Sequence, residues 1–123
     1  MTNIMAVLLD GIAQLEYNRD KALPEHQAHY LDNMDKKMDA GILVGSANIP
    51  HPDLHQRAQF VAANLAHAII NNQETVASAL SSYLADRLPD LKQVKIETHN
   101  HEISIELVFN EEYRKQVPVQ FIH

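Results

Sequence analysis

In the stretch Leu88-Pro89-Asp90-Leu91-Lys92-Gln93-Val94-Lys95-Ile96-Glu97-Thr98-His99-Asn100-His101-Glu102-Ile103-Ser104-Ile105-Glu106-Leu107-Val108-Phe109 the hydrophobic period changes. Before Pro89 apolar residues recur at helical spacing; after it they alternate, as one face of a strand requires. Val94, Ile96 and Thr98 share one side of a strand, and Ile103, Ile105, Leu107 and Phe109 share one side of the next. His99-Asn100-His101-Glu102 between them is short enough for a hairpin, with Asn100 tolerant of positive φ. Lys95, Glu97, Glu102, Ser104 and Glu106 fall on the other side, which predicts a sheet solvated on one face and packed on helices on the other. Val117, Val119 and Phe121 alternate again and could supply a third strand, at an edge because Pro118 cannot donate to a ladder.

Upstream of Pro89 four helices are expected. Residues 3–17 place Ile4, Leu8, Ile12 and Leu15 on one helical face, although Gly11 costs such a helix about 1 kcal/mol and Asp10-Gly11 offers an alternative break. A second helix starts at Pro24, which suits a first turn, and runs to about Asp39 with Gln27, Leu31, Met34 and Met38 as its buried stripe. Gly41 can end it in the left-handed conformation. Ile42-Leu43-Val44 is either a short strand or an apolar loop on the core.

The third helix opens with a capping box, Asp53 with Gln56, and carries the stripe Leu54, Ala58, Val61, Leu65 and Ala68 beside a second one, Phe60, Ala63, His67 and Ile70. Two stripes predict burial on two sides. Asn71 and Glu74 offer another capping box, and the fourth helix, with Val76, Ala79, Leu80, Tyr83, Leu84 and Leu88, stops before Pro89. A junction so short predicts an antiparallel pair.

The expected fold is therefore α+β: four helices, the third and fourth an antiparallel pair, on one face of a two- or three-stranded antiparallel C-terminal sheet. A single domain over 1–123 is expected, with a helical layer at about 3–88 and strands at about 92–122. A chain of 123 residues buries roughly two thirds of its unfolded surface and needs no metal or disulfide to fold.

Composition narrows the function classes. With no cysteine there is no disulfide, thiol nucleophile, iron–sulfur cluster or Cys-type zinc site. A net charge of −6, with Lys36-Lys37 and Arg114-Lys115 the paired basic residues, argues against nucleic acid as a partner. Ile4 to Leu9 lacks a basic flank and is too short for a membrane span or signal core, so a cytoplasmic, non-membrane protein is expected. No serine lies in a G-x-S-x-G elbow, and three glycines build neither a P-loop nor a dinucleotide fingerprint; Gly41 to Ser46 lacks the lysine a phosphate loop needs.

Histidine is the outlier, and protonating all eight would carry the charge from −6 through zero to +2. His99 and His101 flank the hairpin tip, where two imidazoles could hold a divalent transition metal if Glu97 or a distant histidine joined them. His26 and His29, three apart on the second helix with Asp32 beyond, are the other metal candidates. His51 and His55 straddle a helix start, whose dipole disfavours protonation, and no H-E-x-x-H pattern occurs. His67, among apolar neighbours, is expected to be a hydrogen-bonded core residue, and Asp32, Asp35 and Asp39 a solvated acidic strip.

These observations favour a small accessory or regulatory protein that acts by binding a protein partner, with a homodimer through the edge of the C-terminal sheet as one form. The alternatives are a His-rich metal-binding protein or small metal-dependent enzyme, and a small-molecule pocket between sheet and helices with His67, Tyr83 and Phe109 as walls.

Overall fold

The computed structural model describes residues 3–21, 23–44 and 46–113. Its first element corrects the expected N-terminal helix. Ile4–Leu9 is a strand, β1, and Ile12–Asn18 is a second, β2, paired antiparallel to it. Asp10 and Gly11, at φ 48° and 84°, form the turn, a dipeptide suited to the doubly left-handed hairpin bend. The helical spacing of Ile4, Leu8, Ile12 and Leu15 is coincidental. Met5 to Leu8 are all buried because β1 lies inside a sheet covered on both faces, and such a strand reads as a continuous apolar run.

The sheet has the order β2-β1-β5-β6, where β5 is Gln93–His99 and β6 is Glu102–Val108. β1 runs parallel to β5, and β5 and β6 form the expected hairpin, closed at His99 opposite Glu102 with Asn100 and His101 both at positive φ. The sheet is thus four-stranded and mixed, joining the two ends of the described chain, where a small antiparallel C-terminal sheet was expected. Asp10 ties the two hairpins: its carboxylate accepts from the Thr98 N–H and hydroxyl, both at 2.8 Å, which holds it below the ordinary carboxylate range.

Register places Val94 opposite Leu107 and Ile96 opposite Ile105, on the helix side as the alternation requires. The opposite face is not wholly solvated. Ala6 and Leu8 pack there with Tyr113, and the Gln93 side chain donates to the Glu111 carbonyl at 2.9 Å. The strand expected at Val117 to Phe121 lies outside the described residues.

Three helices, not four, stand among the described residues. Pro24 precedes α1, Glu25–Asp39, which buries Leu31 and Met38 while Gln27 is exposed. Gly41, at φ 118°, turns the chain into a two-stranded ribbon of β3, Ile42–Val44, and β4, Ala47–Ile49. The Asp53–Gln56 capping box forms and opens α2, Leu54–Ile70. α3, Glu74–Arg87, follows after Asn71 to Gln73 and packs on α2. So short a link makes the two helices a hairpin. The Asn71–Glu74 capping box does not form, because Gln73 is the N-cap and makes no side-chain bond.

Burial on α2 is one broad band: Ala58, Val61, Ala62, Leu65, Ala66 and Ala68 face inward, while Ala63, His67 and Ile70 are exposed. His67 is thus on the outer surface and not in the core. Arg19, just past β2, closes the far end of α3 by donating to the carbonyls of Ala85, Leu88 and Leu91 at 3.3, 3.1 and 2.6 Å. No described helix is long and apolar enough to cross a membrane.

Among the described residues one buried side-chain group stands unsatisfied. The Ser81 hydroxyl on α3 is fully buried without a hydrogen-bond partner, so its desolvation is uncompensated. Ser81→Ala is expected to raise the urea midpoint, stabilising the fold by about 1 kcal/mol; a loss of stability would reveal a bond to this hydroxyl.

Candidate functional site

Asp32, Asp35 and Asp39 form one face of α1; Asp32 and Asp39 are exposed, as a solvated strip requires, but Asp35 between them is half-buried. Asp35 is the centre of a polar bracket joining all three helices. Its Oδ1 accepts from the Tyr83 hydroxyl at 2.6 Å and from Arg57 Nη1 at 3.0 Å, and its Oδ2 accepts from Arg87 Nε at 3.0 Å. Arg57 also pairs with Asp39 and donates to the Pro52 carbonyl at 3.0 Å. Arg87 bonds Asp32 at 3.0 Å, pairs with Asp86, and lies over the Tyr83 ring at 5.6 Å.

Burial works to raise the Asp35 pKa, and the bonds from Tyr83, Arg87 and Arg57 outweigh it, so the carboxyl sits below its ordinary value. Burial and the bond to Asp35 push the Tyr83 hydroxyl up. A carboxylate carrying three donors, and a tyrosine held neutral, fit an anchor better than a general base. The bracket escapes sequence reading because its partners lie 22, 48 and 52 residues from Asp35.

The candidate metal ligands fall on two separate elements. His26 and His29 stand on α1, with His29 Nε2 at 3.8 Å from Glu25. His99 ends β5, with Nε2 at 3.6 Å from Glu97, whereas His101 occupies the turn itself at φ 71°. His99 and His101 are therefore not neighbours on one strand face. Among the described residues no three His, Asp or Glu side chains converge where they could hold a metal ion.

Two apolar grooves remain. One, of about 650 Å³, runs between α1 and α3 and is lined by His26, Tyr30, Leu31, Val76 and Ala79. The other, of about 780 Å³, runs between α2 and β6, with Leu54, Ala58, Ala62, Leu107 and Phe109 in its walls. Of the three residues expected to wall a pocket, Phe109 lines this groove, Tyr83 fills the core and His67 faces outward. The second groove lies at the β6 edge of the sheet; the other edge strand, β2, lines a smaller cavity of about 320 Å³ through Gln14 and Leu15. Leu54 and Phe109 line the second groove at 47% and 44% exposure, and Ile103, further along β6, is 38% exposed.

That edge can be specified further. His99 opposite Glu102 closes a two-residue turn, so this pair exchanges both backbone bonds, and alternation repeats the pattern at Ser104, Glu106 and Val108. Ile103, Ile105 and Leu107 consequently carry their N–H and C=O groups on the side away from β5, where no strand pairs with them among the described residues.

Compared with protein-family models, with curated proteins and with solved structures, the chain matches none.

Asp35 generates a stability prediction. Because its folded pKa is lowered, its contribution is present above the unfolded carboxylate value, about 3.9, and is lost as pH falls through the folded value. Asp35→Asn should destabilise the protein at pH 7 by about 3 kcal/mol and flatten the dependence of its urea midpoint on pH below 4. A variant as stable as wild type would remove the bracket from the account.

Proposed function

We propose that this chain is a small cytoplasmic accessory or regulatory protein that acts by protein–protein binding, through the groove between α2 and β6. The observation that carries the reading is the coincidence of a strand edge that is unpaired among the described residues with an apolar groove and three exposed hydrophobic side chains. An exposed edge strand is a template for another strand, and backbone bonding there provides affinity while alternate side chains provide selectivity.

The edge dictates the chemistry of its occupant. An extended segment laid on β6 must place apolar residues beside Ile103, Ile105 and Leu107 on the helix side. On the other side it meets Glu102, Ser104 and Glu106, so it must carry no acidic residue opposite either glutamate. A cysteine-free chain also folds without an oxidising compartment, which suits the cytoplasm.

Native mass spectrometry of the untagged protein purified at endogenous level tests the reading. One further protein chain, of its own or another sequence, should accompany it at stoichiometric ratio and be lost from a Leu54→Ser, Phe109→Ser variant that remains folded by circular dichroism. A bare monomer, or a companion indifferent to both substitutions, would contradict it.

A further inference from the structure

We infer that the occupant of the β6 edge is β6 of a second copy, paired antiparallel about a two-fold axis at Ile105. The inference rests on the proposed binding function and names its partner. β6 spans Glu102–Val108, and its middle residue is Ile105. Pairing centred there overlaps the whole strand and sets Ile105 against itself, Ile103 against Leu107, Ser104 against Glu106 and Glu102 against Val108. The helix-side row is then apolar throughout. In the other row no glutamate meets a glutamate.

Other registers that keep both helix layers on one side are poorer. A centre at Ser104 puts Glu102 opposite Glu106 twice, and a centre at Glu106 puts that residue opposite itself, each a like-charge contact across the seam. A centre at Ile103 leaves the end of the strand without a partner. Centring at Ile105 also satisfies the backbone: the edge-facing N–H and C=O groups of Ile103, Ile105 and Leu107 meet those of Leu107, Ile105 and Ile103 in the other copy.

At the seam Glu106 stands opposite Lys95 of its own β5, and across the two-fold Glu106 and Glu102 face the uncharged Ser104 and Val108. Two chains of net charge −6 can therefore meet at this edge without placing their acidic residues together. The interface joins two four-stranded sheets into one. It also brings the exposed Ile103 of each copy beside the Leu107 of the other, at the groove that α2 leaves open.

Ser104 allows a test that spares the core, since it is exposed and faces Glu106 of the other copy. Sedimentation equilibrium of wild type, Ser104→Glu and Ser104→Lys over a range of concentrations reads it. The wild type should be a dimer. Ser104→Glu should raise the dissociation constant about tenfold through two equivalent like-charge contacts, and Ser104→Lys should dimerise at least as tightly as wild type. A monomer at every concentration, or a dimer that both substitutions leave unchanged, overturns the inference. A companion of different sequence, lost in the groove variant, would overturn self-pairing and leave the binding function standing; a monomer with no companion would remove both.

Discussion

The parallel pairing of β1 with β5 is the constraint on which the rest of the structure depends. It joins an N-terminal hairpin to a C-terminal one across the three helices and makes β1 an interior strand. Burying Met5 and Val7 against the helices contributes about 1.5–3 kcal/mol each, and the Asp10 bonds to Thr98 lock the ends of the two hairpins. The same pairing leaves β6 at a sheet edge. Had β6 been interior, the groove beside α2 would be filled core.

The helices rest on that sheet and are held to one another by a polar device. Asp35 gathers Arg57, Tyr83 and Arg87, so α1, which buries Leu31 and Met38 in the core, is also tied to α2 and α3 by charge and hydrogen bonds. Removing one member of such a cluster leaves the others partly desolvated and unpaired, which costs more than the net gain of forming it. Its saturation directs attention to the α2–β6 edge, where backbone donors and acceptors stand without partners among the described residues.

What was legible in the sequence was local. The Asp53–Gln56 box, Pro24 ahead of α1, Gly41 after it and the alternation through β5 and β6 each act within a few residues, and each stands where the pattern places it. β1 defeats the periodicity because burial on both faces erases alternation, leaving a run whose spacing also fits a helix; Asp10-Gly11 is the decisive turn signal. The flanking stripe of α2 failed because Ala62 and Ala66, not His67 and Ile70, face the core. The bracket around Asp35 was illegible because its charges are distant in sequence. By alternation Phe109 continues the inward row, but β6 ends at Val108 and leaves the ring at the groove's lip.

Amide hydrogen exchange resolved at Ile103, Ile105 and Leu107 addresses the central claim most directly, because these residues carry the edge-facing backbone groups that no strand pairs with among the described residues. In the associated protein their amides should exchange slowly, and dilution should return them to the rate of exposed backbone while the β1 amides stay protected. Fast exchange at these positions at every concentration, in a protein otherwise folded, would show that nothing pairs with β6 and would contradict the account.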